Sequence, residues 1–590
     1  MSDLTDGAPG EPSAASPPPP SVPPSTPPPP PPPLPPPPAP PFMAPAPPFM
    51  APARPPWMQP VGPPEYLSAP IDLGVMTAAP LAPRRSRRAS WIATSVAMAL
   101  LVGGGVAVAK SLAGDGAQPD DVIPADVVAV VRLDADPPAG QKLAVAQLAM
   151  HFKDSGVTNS DDPIGQLLER LFAGSPDISY SSDIKPWVDK RAAFAVRLDP
   201  SNPDELSKAY PLVVVAYKDE SQLRSHIAKI ANAGPGKPVG YVIADGFVTF
   251  SDTTEHAQAS VTAAKGSPLS QSPAYRDAFD RVGGDSVVFG WVAYGRVYEK
   301  VIAQFKGLTG LSSAPSLAAL EGLKLDPAAS VAFALRAGSN YAEMQIDGYK
   351  LDESSVLSTE SLGEHFTHLP ADSAVAVGVA GIDRGVSRAL DQADKMLAAS
   401  ASLGSQSDGL ITGGPKSLNE LLDKLGITRS SVQSILGTEI VGAADGSLGG
   451  ALSVTTADGA GAVEALTKML RAIASQSNRA FDSESVLDKL HLQVTPDGYA
   501  LGTSSDSVTK VTGAEAPYLG DDSVFRTAVP DADASTLAIY ANVDKFDSHT
   551  RDFLNAAWAD TPMQQLEAIG IGVLSEKDGH SQVRIRVVVR

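Results

Sequence analysis

The chain has 590 residues, with 55 prolines, no cysteine and a formal net charge of −20 at pH 7. Without cysteine, disulfides, thiolate catalysis, Cys-ligated metal centres and a Cys-linked lipid anchor are excluded. The acidic balance argues against a nucleic-acid partner, because such binding needs a basic surface that displaces counterions from phosphates.

Residues 1–90 form a proline-rich tail that holds 33 of the 55 prolines. Proline lacks an N–H and has a fixed φ, so this segment can form neither a helix interior nor a central strand. We predict a disordered tail with polyproline II runs over 1–90.

A short pair of an aromatic residue and methionine occurs three times within this tail. The copies are Phe42-Met43, Phe49-Met50 and Trp57-Met58. Repeated copies raise the effective concentration for a binding partner, so one hypothesis is a multivalent docking element for a cytoplasmic protein. The alternative is a low-complexity spacer that arose by repeat slippage.

An apolar run follows the tail: from Trp91 to Ala109, 19 consecutive residues carry no charge. At 1.5 Å per residue a helix of this length spans roughly 28 Å, close to the ~30 Å hydrocarbon core of a bilayer. We therefore predict one transmembrane helix within 91–113, with the lipid bilayer as its partner, and a linker over 114–121.

The charges around this run predict its orientation. Four arginines precede it, namely Arg84, Arg85, Arg87 and Arg88, and Lys110 is the only base shortly after it. The positive-inside rule places the tail in the cytoplasm and the C-terminal region outside. Residues 1–90 are neutral, whereas residues 111–590 carry a net charge of −21. The predicted localisation is the cell membrane, in a single-pass arrangement.

A cleaved export signal is the alternative to a permanent anchor. Ala107-Val108-Ala109 has the small residues of a signal-peptide cleavage site, and cleavage there would release a secreted protein. The apolar run is longer than the usual signal core and a 90-residue extension precedes it, which favours the anchor.

Four landmarks after the linker occur twice, in the same order and about 250 residues apart. The apolar strand after Pro124-Ala125-Asp126 matches the one after Pro370-Ala371-Asp372, and the turn Asp245-Gly246 matches Asp497-Gly498. The run 286–294 matches 535–543, and the pair 330–336 and 341–349 matches 570–574 and 582–589. We interpret this as two tandem copies of one domain, over 122–355 and 365–590.

Each copy alternates strands with helices. Ile164, Leu167, Leu168 and Leu171 have helical spacing, as do Leu223, Ile227 and Ile230. The run 583–587 alternates apolar residues with arginine, which indicates a strand with one buried and one wet face. We predict an α+β fold in which each copy is an antiparallel sheet with helices on one face.

The chain resembles an actinobacterial family in several features taken together. These are the proline-rich tail, the arginine cluster, the single span and the strand at Ile123-Pro124-Ala125-Asp126, which is followed by the segments 132–134 and 137–143. The family is the membrane-anchored envelope family known as domain of unknown function 3352. The resemblance covers roughly 80–590 and implies an extracytoplasmic orientation. The family has no assigned activity, so no site residue is implied.

Several residue patterns are candidates for chemistry. His365, His368 and Glu364 are close in sequence but lack the spacing of a helical metal site. Ser507-Val508-Thr509-Lys510 fits the Ser-x-x-Lys pattern of penicillin-recognising enzymes, but its companion motifs are missing, which favours helix capping. Asp126 and Asp372 occupy the same place in the two copies, where turn chemistry is the simpler explanation.

Other acidic pairs and a glycine-rich stretch have structural interpretations. Asp120-Asp121, Asp161-Asp162 and Asp531-x-Asp533 lack the spacing of a calcium loop, and we interpret them as turns and helix caps. The Gly-Pro-Gly-Lys stretch at 234–237 is interpreted as a loop. We predict no metal site, cofactor or catalytic residue.

The sequence as a whole predicts a single-pass envelope protein with a non-enzymatic binding or scaffolding role. Its duplicated acidic domain would bind a ligand outside the cell, and its tail a partner inside. The alternative is an extracytoplasmic hydrolase whose catalytic carboxylates come from distant positions.

Overall fold

The computed structural model describes the chain from residue 117 onwards, with gaps. The described residues are 117–134, 137–152, 178–203, 205–233, 238–298, 300, 326–350, 360–404, 417–476, 489–513, 515–557, 562–575 and 579–590. The predicted tail, the apolar segment 91–113 and the first part of the linker lie outside them. Within the described ranges, no helix combines the length and the hydropathy needed to cross a bilayer.

Within the described residues, sixteen strands form one antiparallel sheet. They are β1 (Val127–Asp134), β2 (Val188–Arg197), β3 (Tyr210–Tyr217), β4 (Gly240–Ala244), β5 (Phe247–Ser251), β6 (Val288–Val292), β7 (Ser330–Ala337), β8 (Tyr341–Tyr349), β9 (Val375–Ala380), β10 (Glu439–Ala444), β11 (Gly450–Thr455), β12 (His491–Thr495), β13 (Gly498–Gly502), β14 (Leu537–Asn542), β15 (Leu566–Ser575) and β16 (His580–Val589). The predicted α+β class with antiparallel pairing is confirmed.

Residues 117–350, the first half, and residues 360–590, the second half, have the same strand layout. From its outer edge, the first half runs β4-β5-β3-β2-β1-β6-β7-β8, and the second runs β12-β13-β11-β10-β9-β14-β15-β16. Their inner strands β8 and β16 pair antiparallel, from His580 opposite Tyr349 to Val588 opposite Tyr341. The two halves therefore share a single continuous sheet.

The hairpins that the sequence predicts at the two Asp-Gly turns are confirmed. Asp245 and Gly246 both have positive φ, at 52° and 82°, and connect β4 to β5. In the second half, Pro496 and Asp497 form the two-residue connection between β12 and β13, and Gly498 is the first residue of β13, opposite Thr495. Because glycine adopts positive φ at no steric cost, Asp-Gly suits such two-residue turns.

Twelve α-helices whose bounds lie within the described residues accompany these strands. They are α1 (Ala139–His151), α2 (Glu220–Asn232), α3 (Thr254–Gly266), α4 (Pro273–Ala278), α5 (Gly363–Thr367), α6 (Ile382–Gly404), α7 (Leu418–Lys424), α8 (Arg429–Leu436), α9 (Gly459–Gln476), α10 (Ser505–Thr512), α11 (Ser523–Ala528) and α12 (Ser548–Ala557). The predicted stripe Leu223, Ile227 and Ile230 is the buried face of α2. The stripe 164–171 lies outside the described residues.

The prediction that helices cover only one face of the sheet is wrong. In the first half, Tyr275 of α4 packs on the face that carries Leu212 and Val214, whereas Leu223 of α2 packs on the opposite face, with Val213. The outer strands explain this arrangement: in β3 every residue from 212 to 216 is buried and apolar, so both faces need cover.

The second half has the same two layers. Val508 of α10 packs with Ala451 and Ala500 on one face, and Ala462 of α9 packs with Val454 and Tyr499 on the other. Helices thus cover both faces of the outer strands in each half.

The six central strands, β6, β7, β8, β16, β15 and β14, have two unlike faces. The covered face lies beneath α4 and α11. The other face is called the open face because none of the hydrophobic clusters formed by the described residues includes it. It consists of alternate residues, most of them half-buried, that begin at Val288, Val331, Ala342, Ser581, Ile569 and Leu537. Strand register places these residues side by side across the sheet.

Candidate functional site

The second half contains a cleft of about 300 Å³ between the start of β9, the β10–β11 turn and helix α10. Charged side chains at its wall are Asp372, Asp445, Asp506 and Lys510. Small residues complete the lining, among them Gly449 and Gly450. The cleft therefore combines an acidic rim with a floor that leaves room for a small ligand.

Helix α10 begins at this cleft because Ser504 caps it. The Ser504 hydroxyl accepts a hydrogen bond from the backbone N–H of Ser507 at 3.1 Å, and the Ser507 hydroxyl accepts one from the N–H of Ser504 at 3.1 Å. This reciprocal pair satisfies two N–H groups that a helix start would leave unpaired. The predicted capping role of Ser507 is confirmed.

The turn between β10 and β11 is closed by Asp445. Its carboxylate accepts hydrogen bonds from the hydroxyl of Ser447 at 2.7 Å and from the N–H of Gly449 at 3.1 Å. These bonds, led by that from the Ser447 hydroxyl, lower the pKa of Asp445, although partial burial opposes them. Asp445 therefore presents a negative charge to the cleft at neutral pH.

Lys510 lies across the cleft and donates to Asp372 at 3.0 Å. That hydrogen bond and the attraction of the same carboxylate raise the pKa of Lys510. Both side chains are more than half exposed, so water screens the pair and its strength is modest. Lys510 thus contacts Asp372, which does not support a Ser507–Lys510 nucleophile and base pair.

The corresponding place in the first half is filled. Asp126, Arg197 and Tyr210 occupy the positions that Asp372, Asp445 and Gly449 occupy in the second half, as judged from strand register. Arg197, only 4% exposed, donates two bonds to Asp126, at 2.8 and 2.7 Å.

Two further side chains complete this packed cluster. Arg197 also donates to the hydroxyls of Tyr210 at 3.1 Å and Ser260 at 3.2 Å. The ring of Tyr210 stacks on His256 with centroids 4.0 Å apart. His256 lies three residues after the N-cap of α3, where Ser507 lies in α10. Large side chains therefore occupy the volume that the second half leaves open.

The twin acids Asp126 and Asp372 thus have the same place but different partners. Asp126 pairs with an arginine from β2 and Asp372 with a lysine from α10. The sequence indicated the position of both acids. It did not indicate their partners, because Arg197 is 71 residues from Asp126, and Lys510 is 138 residues from Asp372.

The histidine pair does not form one site. His365 contacts Glu439 at 2.8 Å, whereas His368 stacks on Tyr518 with centroids 4.5 Å apart. Burial raises the pKa of Glu439, and the hydrogen bond from His365 offsets part of that rise. In the part of the chain that the structure describes, no three metal-ligating side chains come together.

The acidic pairs that the sequence singled out have mixed roles. Asp121 accepts from the N–H of Gln118 at 2.9 Å at the start of a short 3₁₀ helix, as the capping interpretation predicts. Asp120 and Asp531, in contrast, are ion-pair partners. Asp120 is buried and accepts from Arg132 at 3.1 Å, and burial raises its pKa in spite of that arginine. Asp531 pairs with Arg584. Asp161-Asp162 and the stretch 234–237 lie outside the described residues.

A buried polar cluster at the junction of the two halves was missed by the sequence reasoning. Glu343 of β8, with 6% side-chain exposure, lies within 2.7 Å of Arg586, 3.3 Å of Arg336 and 3.6 Å of Arg584. Arg336 also bonds Gln345, and Arg586 stacks over the Tyr341 ring at 4.2 Å. The alternating arginines of 583–587 were its only sequence signal. The structure places them on the covered face.

The remaining predicted residues lie outside the described part of the chain. These are the topology determinants Arg84, Arg85, Arg87, Arg88, Trp91 and Lys110, and the docking motifs at Phe42, Met43, Phe49, Met50, Trp57 and Met58. They stay predictions.

Comparison with known proteins yields one family. No curated protein matches the sequence. Among solved structures, crystal forms III and I of TP0453 each align with 41% of this chain and 82% of that chain, at 10% and 9% identity and a TM-score of 0.21. Likeness at that TM-score carries no argument about fold or function. Residues 92–587 match the family described as "Protein of unknown function (DUF3352)", and the chain therefore belongs to the DUF3352 family.

Proposed function

We propose that this protein is a single-pass protein of the cell envelope whose folded region is a non-enzymatic binding module outside the cytoplasm. The uncharged run 91–109 supports an anchor, and the four arginines at 84–88 support a cytoplasmic tail. The family match begins at residue 92, so it includes all of this run except Trp91.

The cleft of the second half is the observation that carries the binding role. Three carboxylates and one ammonium line it, so its negative field favours small ligands with a protonated amine. The carboxylate oxygens can also accept hydrogen bonds from hydroxyl groups of such a ligand. The packed cluster around Arg197 shows that the same backbone layout also accommodates a filled version. Ligand binding in this proposal belongs to the second half.

The shared strand layout supports a tandem duplication as the origin of the two halves. The order of eight strands is the same in each, and the sequence landmarks recur in that order. In this proposal one copy kept or gained an open cleft, while the other gained a filled cluster. The proline-rich tail would bind a cytoplasmic partner through its three aromatic and methionine pairs.

Protease accessibility tests the membrane arrangement. Intact cells or spheroplasts are treated with protease, and fragments are identified with antibodies against the tail and against residues after 120. We expect digestion of the region after 120 and protection of the tail. Protection of that region together with digestion of the tail would overturn the proposal. A new N-terminus near Lys110 in the mature protein would replace the anchor with a secreted form.

Titration of the full chain with glucosamine, a small probe that carries both an amine and hydroxyls, tests the cleft. We expect wild type to bind glucosamine more tightly than glucose, which lacks the charge. We also expect the Asp372→Ala and Asp445→Ala variants to bind glucosamine more weakly than wild type does. Asp423→Ala, which removes a carboxylate from α7 instead of the cleft, is the matched control. Equal affinities for wild type and all three variants would refute a ligand site at this cleft.

A further inference from the structure

We propose that the open face of the six central strands binds the acyl chains of membrane lipids. The first observation is chemical. On this face, alternate residues of β6, β7, β8, β14 and β16 are aliphatic, aromatic, small or hydroxyl-bearing, and the same holds for β15 from residue 569 onwards. None of these positions carries a charge.

The distribution of side chains between the two faces is the reverse of that in a solvated sheet. An antiparallel sheet with one wet face has polar residues on that face. Here Glu343, Asp347 and Arg586 lie on the covered face, while Met344 and Ile585 lie on the open face. Leu335 and Ile539 on the open face are each 38% exposed. The pattern suits contact with an apolar medium.

Strand register gives the open face its dimensions. Val288, Leu335, Met344, Ile585, Ile571 and Ile539 are successive cross-strand neighbours in one row. Six strands at a spacing of about 4.8 Å make this row roughly 24 Å long. A second apolar row, through Phe333 and Val583, runs beside it. An acyl chain, which spans about half of a ~30 Å hydrocarbon core, fits along such a row.

The neighbouring helices favour a slender occupant. On this same side of the sheet, α2 covers the outer strands of the first half and α9 those of the second. The open face is thus the floor of a trough between two helical layers, each about 10 Å thick. Helical layers at both sides hinder the approach of a second sheet, whereas a flexible chain can lie on this floor. Apolar patches of this extent mark interaction sites in soluble domains.

Access to lipid rests on the proposed function. If 91–109 is an anchor, only residues 110–116 separate the bilayer from the first described residue, a reach of at most about 25 Å. Acyl chains would then be the apolar molecules nearest to the trough.

Photolabelling of the full chain tests the inference. The protein is reconstituted in phosphatidylglycerol vesicles that contain a phospholipid with a diazirine in its acyl chain, illuminated, digested and mapped by mass spectrometry. We expect label in peptides that cover 331–346, 537–541 and 569–587. Label in 91–109 reports insertion of the anchor independently of the open face. A protein without an anchor and a protein whose open face does not bind lipid therefore give different patterns of labelled peptides.

Matched variants give the size of the effect. Leu335→Asp and Ile539→Asp should each lower face labelling roughly tenfold, because a charge replaces an apolar contact. The controls are Leu421→Asp on α7 and Ile473→Asp on α9, which change residues of similar exposure, 37% and 43%. They should leave the labelling of the open face unchanged.

The wild-type map does not depend on any variant folding. Label confined to 91–109 would overturn the inference. So would chemical cross-links from the open face to 153–177 or 301–325 in place of lipid label, because the chain itself would then cover the trough.

Discussion

The two halves of the sheet share one strand layout and differ in what fills the space beside the first strand. In the first half, Arg197 and Tyr210 close that space around Asp126. In the second half, Asp445 and Gly449 leave a cleft of about 300 Å³ beside Asp372. A few side chains on a common backbone therefore decide between a packed cluster and a candidate binding site.

Loss of Glu343 should have the largest effect, because it removes the carboxylate on which three arginines converge at the junction of the halves. We expect Glu343→Leu to lower the free energy of unfolding by about 3–5 kcal/mol, as when one partner of a buried ion pair is removed. Chemical denaturation measures this. Glu464→Leu, which removes an exposed partner of Lys468, is the control and should cost less than about 1 kcal/mol. Equal stability of the two variants would show that the arginines do not need Glu343.

Arg197→Ala should destabilise the first half by about 2–4 kcal/mol, because it leaves a cavity and removes bonds to three side chains. Asp445→Ala at the corresponding position should cost less than about 1 kcal/mol, since it removes only turn bonds at the cleft. Hydrogen exchange measured separately on peptides of each half distinguishes the two. A larger effect for Asp445→Ala would mean that the cleft is the more constrained site.

The helices α4 and α11 occupy corresponding places but begin differently. Asp522 caps α11 through the N–H groups of Val524 and Phe525 and also pairs with Lys545, whereas Ser272 at the start of α4 makes no capping bond. We expect Asp522→Ala to cost about 1–2 kcal/mol and Ser272→Ala less than about 0.5 kcal/mol. Thermal unfolding of both variants checks this, and a cost for Ser272→Ala as large as that for Asp522→Ala would contradict it.

The Asp522 cap should also depend on pH. Burial raises the pKa of Asp522, but the hydrogen bond from Lys545 and those from the α11 backbone outweigh it and lower the pKa overall. A lowered carboxyl pKa gives stabilisation that is present above the unfolded value of 3.8 and is lost as the pH falls through the folded value. The difference between wild type and Asp522→Ala should therefore vanish in acid.

The smallest effect is expected for Lys510→Met, which removes an exposed pair and should cost less than about 1 kcal/mol. Because the pKa of Lys510 is raised, its contribution is complete below the unfolded value of 10.5 and is lost as the pH rises through the folded value. Stability measured from neutral to alkaline pH tests this. A cost as large as that of Arg197→Ala would erase the contrast between the two halves.

The sequence predicted the parts of the fold that depend on local patterns. The Asp245-Gly246 and Asp497-Gly498 hairpins and the antiparallel α+β class follow from turn chemistry and alternation, and the structure confirms them. The one-face prediction failed because it rested on the alternation in 583–587, whereas the apolar run 212–216 of β3 is buried on both faces.

The candidate site was predictable only in part, because its partners are distant in sequence. Asp126 and Asp372 were identified as a corresponding pair, yet nothing local indicates that Arg197 fills one site and Gly449 leaves the other open. Glu343 and Arg586 are 243 residues apart and meet only because β8 pairs with β16. Pairing over such distances depends on the assembled sheet.

The β8–β16 pairing also has a consequence for folding during biosynthesis. Asp347 of β8 cannot contact His580 of β16 until the stretch of 233 residues from one to the other has been synthesised. At 5–20 residues per second, the ribosome needs on the order of 10–50 s to make that stretch. Throughout this interval the backbone N–H and C=O groups along one side of β8 have no strand to pair with, and such edges attract other chains. We expect a nascent first half to need a chaperone, or prompt completion of the second half, to stay monomeric.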